Sequence, residues 1–112
     1  MKLVKAYVSR YRIAEVLETL RESGVCDIGA RSDCHYLTVT AVQRPFAGAE
    51  PSQQHYSIDL AAPVVTEYRI ELVCADAQAT ELVEVIAKTA ASGQRCCGWI
   101  VVSELEHAVE IK

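Results

Sequence analysis

Apolar and polar positions alternate along this chain with two different periods, and these periods predict its helices and strands. Apolar residues three and four positions apart predict amphipathic helices, whereas apolar residues at every second position predict strands. A glycine after the last periodic residue marks the end of each predicted helix. In chain order, the pattern predicts a strand from Leu3 to Val8, a helix from Ile13 to Gly24, a strand from Tyr36 to Val42, a strand from Val64 to Cys74, a helix from Asp76 to Gly93, a strand from Trp99 to Glu104 and a short strand from Ala108 to Ile111.

The strand from Val64 to Cys74 has the clearest alternation in the chain. Its apolar residues lie on one face, and Glu67, Arg69 and Glu71 lie on the other. We expect this charged face to be solvated or to pair with Lys5, either across the sheet or across a subunit boundary.

The order of the main elements is strand, helix, strand, strand, helix, strand. Joined by right-handed crossovers, this order predicts an α+β, ferredoxin-like βαββαβ fold, in which an antiparallel sheet carries both helices on one face. The other face of the sheet then lacks cover, and so do its edges. We therefore expect a symmetric homo-oligomer.

Residues Gln43 to Ala62 form a long segment without a sustained period, and they include Pro45, Gly48 and Pro51. A loop of more than ~15 residues is uncommon in so small a domain and is usually functional or disordered. We interpret this segment as the part of the chain that moves, with a tolerated flexible insertion as the alternative. Cys26 to His35 is a shorter loop that could contribute to specificity.

Composition limits the chain to a single domain, residues 1–112, with one modest core. Hydrophobic residues make up 51% of it, yet no apolar run approaches the ~20 residues that cross a bilayer, so no membrane insertion is expected. The start, Met1 to Lys5, lacks the uninterrupted apolar stretch of a signal peptide, so we expect a cytoplasmic protein. A net charge of −4 with dispersed acidic residues argues against nucleic-acid binding.

The chain has five cysteines without a secretory signal, and we expect them to be reduced thiols. Cys34 with His35, and Cys96 with Cys97, are the best candidates for metal ligands, and burial as small apolar side chains is the alternative. The same pairs, with Arg95 beside the second, are the candidates for a catalytic nucleophile. Adjacent residues usually point apart, however. We therefore assign no metal site and do not expect an enzyme.

Three segments resemble the PII signalling proteins and their PII-like relatives. The best match is Ile70 to Gly93, IELVCADAQATELVEVIAKTAASG, which is similar without a gap to the family's strand, Asp-rich turn and second helix. Residues 1–25, MKLVKAYVSRYRIAEVLETLRESGV, resemble the family's first strand and helix. The run LTVTAV, Leu37 to Val42, resembles the strand that precedes the family's T-loop.

The resemblance implies a homotrimer of ferredoxin-like subunits that binds adenine nucleotides between neighbouring subunits and has no enzymatic activity. It implies that a T-loop, here about residues 44–62, changes conformation with the bound ligand. This loop would dock on a target such as a membrane transporter or an enzyme. Ser92 to Trp99 corresponds to the family's B-loop, which holds phosphates.

Several positions depart from the phosphate-binding pattern of the family. The departures are Cys96 in place of a glycine, Cys97 in place of an aspartate, Trp99 and Glu67 each in place of a lysine, and Glu110 and Lys112 in place of two arginines. Hydrogen bonds to charged groups are worth ~1.5–3 kcal/mol each, so the loss of positive charge predicts ADP or AMP rather than ATP.

The loop also lacks the R-G-A-E-Y motif of classical members. Because the family's cations and loop motif are missing, the chain resembles carboxysome-associated and bicarbonate-transporter-associated PII-like proteins more than a nitrogen regulator. Those PII-like proteins respond to adenylates and bicarbonate. The resemblance therefore implies a regulator of a transporter or carbon-uptake component, with no cofactor beyond its effector. The alternative is a metal- or redox-responsive trimer that uses cysteine and histidine.

The expected ligand contacts combine cations with backbone N–H groups. Arg95 and Lys112 would supply the cations for phosphate or bicarbonate, whereas Trp99 is expected in the core. The full set of expected ligand residues is Thr38, Thr40, Gly93, Arg95, Cys96, Cys97, Gly98 and Lys112. For the two threonines, an ordinary place on a β surface is the alternative.

Overall fold

The computed structural model describes residues 1–24, 34–48, 51–93 and 97–111. Five strands and two helices account for most of them. These elements are β1 (Lys2–Ser9), α1 (Ile13–Ser23), β2 (Cys34–Pro45), β3 (His55–Ser57), β4 (Ala62–Cys74), α2 (Asp76–Ala90) and β5 (Gly98–Glu104), with a 3₁₀ turn at Pro51–Gln53. All but β3 and the turn were predicted from the periodicity.

The strands form one antiparallel sheet in the order β2-β4-β1-β5, and the short strand β3 pairs with the start of β4. The two inner strands, β4 and β1, are adjacent in space although α1, β2 and β3 separate them in sequence. This order, with one helix after β1 and one after β4, is the ferredoxin-like arrangement. The predicted α+β fold class is therefore confirmed.

The core lies between the sheet and the two helices. Its residues are the apolar positions that set the two periods in the sequence, because each element places its apolar side chains on one face. Each fully buried leucine or isoleucine contributes about 1.5–3 kcal/mol relative to exposure. The buried core consists of Val4, Ala6, Val8, Val16, Leu20, Ile70, Leu72, Cys74, Ala79, Leu82 and Ile86.

The opposite side of the sheet, which we call the open face, is not covered by either of the two described helices. The strand registers arrange its side chains in rows across the four long strands. One row consists of Trp99, Tyr7, Arg69 and Thr40, and the next consists of Val101, Lys5, Glu71 and Thr38. The register thus places Lys5 directly opposite Glu71, while Nε of Arg69 lies 2.8 Å from Oε1 of Glu71.

The segment expected as an irregular loop is partly ordered by strand pairing. β2 continues to Pro45 instead of ending at Val42, and the chain returns through β3 to begin β4 at Ala62. Val64, which is fully buried, pairs with Pro45 of β2 and with His55 of β3. A three-residue strand is too short to produce a detectable period, so the sequence pattern could not reveal β3.

The structure corrects the predicted C-terminal end of α2. Asp76 is the first helical residue, and Ala75 occupies the capping position without a side-chain hydrogen bond. The carboxylate of Asp76 lies 2.9 Å from the amino group of Met1, which lowers the pKa of Asp76. The helix ends at Ala90 rather than at Gly93, whereas Gly24 ends α1 with a left-handed φ of 73° as predicted.

The predicted last strand, Ala108 to Ile111, is wrong. These residues are exposed and have no regular structure, and the last strand of the sheet, β5, ends at Glu104. Strand propensity depends on packing against neighbouring strands. The described part of this chain offers residues 108–111 no strand to pair with, so their apolar character alone does not form one.

Candidate functional site

A concave site lies on the open face where the long loop leaves the sheet. We call it the loop-base cavity. Its volume is about 490 Å³, within the range of small-molecule sites. Three strands and the end of β2 contribute to it, and the residues that line it are Tyr7, Val42, Gln43, Arg44, Pro45, Glu67, Gly98 and Trp99.

An ion pair between Arg44 and Glu67 joins the base of the loop to the sheet. Nε of Arg44 donates a hydrogen bond to Oε1 of Glu67. Only 4% of Glu67 is exposed, whereas 42% of the Arg44 side chain is exposed. A buried carboxylate is strongly destabilising without a partner. The extension of β2 to Pro45, which the sequence pattern did not predict, is therefore what makes a charged residue tolerable at position 67.

A second contact holds the two arms of the loop together. Ser57, at the end of β3, is buried and donates its hydroxyl to the side-chain oxygen of Gln43 at 3.4 Å. The same hydroxyl accepts a hydrogen bond from the backbone N–H of Leu60 at 3.2 Å. The wall of the cavity that belongs to the loop is thus fixed by side chains of β2, β3 and β4.

Two aromatic residues form the opposite side of the cavity. Tyr7 of β1 and Trp99 of β5 are cross-strand partners on the open face, and Trp99 is 68% exposed. The expectation that Trp99 belongs to the core is therefore wrong, because its strand position faces away from the helices. Gly98 allows β5 to lie close to β1, because a Cβ atom at position 98 would lie only 2.7 Å from the backbone oxygen of Tyr7.

Cys97 lies just before β5, in the segment that the resemblance assigns to the B-loop. Hydrogen bonds from the backbone and the hydroxyl of Ser92 lower the pKa of its thiol, and the charge of Arg12 acts in the same direction. In contrast, burial raises the pKa of the Cys74 thiol. Ser92 therefore directs hydrogen-bond donors at a sulfur atom that carries negative charge when it ionises.

The structure brings together only part of the predicted ligand set. Gly98 lines the cavity, Cys97 adjoins it in sequence, and Gly93 lies in the same turn with a left-handed φ of 78°. Thr38 and Thr40 are exposed on the open face, opposite Glu71 and Arg69, and do not line the cavity. Arg95, Cys96 and Lys112 lie outside the described residues.

Of the residues that line the cavity, Gly98 was recognised as a candidate from the sequence, whereas the two aromatic and two charged residues were not: Tyr7, Arg44, Glu67 and Trp99. The resemblance did single out Glu67 and Trp99, but only as lysines that had been lost. The signal that could have identified them is the strand register, which places Glu67 on the same face as Tyr7 and Trp99. Register depends on pairing between distant segments and is not visible in a local pattern.

Two further observations bear on the classes of function that were considered. No group of three or more histidine, cysteine, aspartate or glutamate side chains suited to a metal ion occurs within 1–24, 34–48, 51–93 and 97–111. In the same ranges, neither helix has the length and apolar character needed to cross a membrane.

Comparison with known proteins identifies relatives along the whole chain, although no family model matches it. The nitrogen regulatory protein GlnK2 of Haloferax mediterranei is 32% identical over 116 aligned residues, which cover all of this chain and 84% of the relative. The nitrogen regulatory protein P-II of Rhizobium etli is 29% identical, and GlnK of Escherichia coli is 24% identical. Both alignments cover all of this chain and 92% of the relative.

The fold and the site define a ferredoxin-like domain with a ligand-sized cavity at the base of a long loop. The chain is 32% identical to GlnK2, and the alignment covers 84% of that relative. The chain therefore belongs to the PII family of signalling proteins. The resemblance seen in the sequence is confirmed at this level. Its finer part, the similarity to carboxysome-associated and bicarbonate-transporter-associated members, stays a prediction.

Proposed function

We propose that this protein is a homotrimeric regulator that binds ADP or AMP between its subunits and controls a partner protein through its T-loop. The observation that carries the proposal is the Arg44–Glu67 ion pair, because it connects the loop directly to the wall of a ligand-sized cavity. A ligand that alters this contact changes how the loop is held, which is what a signalling protein requires.

The open face supports the trimer. It exposes Trp99 and Val101 on β5, beside the charged row that contains Lys5 and Glu71. A sheet with helices on one side only is usually covered on the other by a second layer. Neighbouring subunits would supply this layer and would complete ligand sites at their boundaries.

The turn before β5 supports an anionic group on the ligand. Gly93 adopts a left-handed conformation and Ser92 directs two donors toward Cys97. Successive backbone N–H groups near a left-handed residue can bind an anion. In the described lining of the cavity, the cation Arg44 is already paired with the carboxylate of Glu67, so little positive charge is left for phosphates. This balance favours a ligand with one or two phosphates over a triphosphate. Bicarbonate is the proposed co-effector.

The proposed output is docking of the T-loop on a transporter or a carbon-uptake component. The loop exposes large apolar side chains, with Phe46, Tyr56 and Ile58 all more than half exposed. Contiguous exposed apolar surface commonly marks sites that bind other proteins, and we propose that these side chains form such a surface when the loop docks. The relatives are named as regulatory proteins, and we propose binding rather than catalysis as the activity of this chain.

Calorimetric titration of the reduced, metal-free protein with AMP, ADP and ATP, each with and without bicarbonate, tests the proposal. We expect ADP or AMP to bind more tightly than ATP, and bicarbonate to change that affinity. The variant Arg95→Ala should weaken binding without unfolding the protein, and Arg21→Ala, on α1, is the matched control. A trimer that binds none of the three nucleotides would contradict the proposal.

A metal- or redox-responsive trimer is the second candidate, and the lowered thiol pKa of Cys97 favours it. Thiolates are both the metal-binding and the readily oxidised form of cysteine. The test is the metal content of the protein purified with and without a thiol-blocking reagent. Stoichiometric metal that is lost on blocking would support this candidate over the nucleotide sensor.

A further inference from the structure

We propose that Cys34 and Cys74 form a reversible disulfide that joins the first residue of β2 to the last residue of β4. The strand register places these two cysteines directly opposite each other. The long loop and β3 separate them in sequence, so the fold brings them together and the local sequence does not. The inference requires neither the loop-base cavity nor the nucleotide proposal.

The spacing of paired strands suits a disulfide at this position. Directly opposite residues of antiparallel strands have Cα atoms about 4.5–5.5 Å apart, and the Cα atoms of bonded cysteines are usually about 4.4–6.8 Å apart. The register of β2 on β4 also shifts between His35 and Thr38, and an irregularity of this kind bends a strand locally. The start of β2 can therefore adjust to the bond without disturbing the continuous pairing that begins at Thr38.

The surroundings of Cys74 determine the order of the reaction. Cys74 is a free thiol that is fully buried in the core. Burial raises the pKa of this thiol, so little of it is present as the reactive thiolate near neutral pH. A reagent in solution therefore does not begin the reaction at Cys74 of the folded protein. The reaction begins at Cys34, and Cys74 follows as the second, resolving thiol.

The oxidant is a low-molecular-weight disulfide, for which oxidised glutathione is the probe. The thiolate of Cys34 attacks one sulfur of this disulfide, which releases one glutathione and leaves the other bonded to Cys34. Cys74 then gives up its proton and attacks the sulfur of Cys34, which releases the second glutathione. Two protein thiols have lost two electrons and two protons, and the glutathione disulfide has gained them. Excess reduced glutathione reverses both steps.

The bond would lie at the end of the sheet that is opposite the loop base. The pairing of β2 with β4 runs from Cys34 and Cys74 at one end to Pro45 and Val64 at the other. β2 is an edge strand, and short pairings at a strand end open more readily than the interior of a sheet. A disulfide would close this opening. Because Ala75 alone separates β4 from α2, it would tie the start of β2 to the junction of sheet and helix.

The test is oxidation of the folded, full-length protein with oxidised glutathione, then blocking of free thiols and digestion with trypsin without reductant. Trypsin cleaves after lysine and arginine but not before proline, so Cys34 falls in peptide 32–69 and Cys74 in peptide 70–88. We expect these two peptides to be joined and to separate on reduction. The intact oxidised protein should keep the mass of one chain less two hydrogen atoms, because the bond lies within the chain.

The other three cysteines fall in different tryptic peptides, 22–31 and 96–112, so the same digest identifies every competing bond. A bond from either of these peptides to Cys34 or Cys74, in place of the expected one, would overturn the proposal. A bond between two chains would also overturn it. Glutathione that stays on Cys34 without passing to Cys74 would show that the register does not bring the two thiols within reach.

A comparison with the unfolded chain tests whether the fold itself favours the bond. In one fixed mixture of reduced and oxidised glutathione, we expect the ratio of linked to reduced protein to be at least about tenfold higher in the folded protein than in urea. The reason is that folding replaces the chance closure of a long flexible loop by a fixed proximity. Equal ratios would overturn the proposal.

Three substitutions separate the roles of the cysteines. Cys34→Ser should abolish the bond and leave Cys74 of the folded protein free of glutathione, whereas Cys74→Ala should leave glutathione trapped on Cys34. Cys97→Ser is the matched control and should leave the bond intact. Glutathione on Cys74 of folded Cys34→Ser would contradict the order of reaction. Cys74→Ala removes a buried side chain, so the digest of the unaltered protein remains decisive if this variant does not fold.

Discussion

Arg44, the residue before the end of β2, is hydrogen-bonded through its Nε to Oε1 of Glu67, a carboxylate that is almost completely enclosed in the interior of β4. The two residues are 23 positions apart in sequence, and the whole loop lies between them. One contact therefore closes the loop at its base and satisfies the buried charge beside the cavity.

This relationship predicts strong energetic coupling between positions 44 and 67. Arg44→Gln should lower the free energy of unfolding by about 1–3 kcal/mol, because the carboxylate of Glu67 loses its partner; the estimate allows for the partial exposure of Arg44. In the background of Glu67→Gln, the same substitution should cost much less. Urea unfolding of the four proteins measures the coupling, expected at about 0.5–3 kcal/mol. Additive effects would show that the ion pair is energetically unimportant.

Gly98 should be intolerant of any side chain. A Cβ atom would lie 2.7 Å from the backbone oxygen of Tyr7, so Gly98→Ala forces β1 and β5 apart. We expect it to lower the free energy of unfolding by about 1–3 kcal/mol, the usual cost of overpacking.

The control is Gly93→Asn, measured by the same urea unfolding. Gly93 has a φ of 78° with open space around it, and asparagine tolerates this conformation better than other residues. A cost for Gly98→Ala no larger than that of the control would contradict the close approach of the two strands.

The open face should be the surface through which the subunits associate. Val101→Glu places a charge on this face, beside Lys5, and should reduce the molar mass in solution from that of the proposed trimer toward that of a monomer. Val102→Glu is the matched control, because Val102 is the next residue and lies on the helix side, opposite Val4. Light scattering after size-exclusion chromatography gives the masses. Dissociation by the control but not by Val101→Glu would place the interface elsewhere.

The thiol of Cys97 should react with iodoacetamide faster than an ordinary thiol near neutral pH. Its folded-state pKa is lowered by the backbone and hydroxyl of Ser92, so the rate should reach its plateau at a lower pH than in the unfolded chain. Ser92→Ala removes the hydroxyl donor and should move the midpoint upward.

Cys74 supplies the internal comparison for this measurement. It is buried and its thiol pKa is raised, so its peptide should stay unmodified until the protein unfolds. Peptide mapping by mass spectrometry distinguishes the cysteines. Equal labelling of Cys97 and Cys74 in the folded protein would contradict both pKa directions.

The fold could be predicted from the sequence because most elements carry their own local signal. The apolar residues Val16 and Leu20 of α1, and Ile70 and Leu72 of β4, set clear periods and all are buried in the core. The short strand β3 has no such signal, because its existence depends on pairing with β4. The apolar run from Ala108 to Ile111 has a strand-like composition but no described partner, and so the prediction there was wrong.

In the lining of the candidate site, the sequence pointed only to a glycine, which marks a place where the backbone needs special freedom. Gly98 was recognised from its place in a glycine-containing turn, and it does line the cavity. The roles of Glu67 and Arg44 depend on how far β2 extends and on its register with β4, which are properties of paired strands. The expected ligand role of Gly98 stays a prediction, as do those of the other seven predicted residues.

The length of β4 limits where this chain can gain or lose residues. Its 13 residues run without interruption from the loop arm at Ala62 to the core at Cys74, so an insertion within it would exchange the two faces for every residue beyond that point. The described residues 46–48 and 51–54 lie outside the long strands and are not under this constraint, because Gln43, Ser57 and Val64 already fix the strand ends on either side. Loop length can therefore diverge among relatives at that point while the cavity and the core keep their geometry.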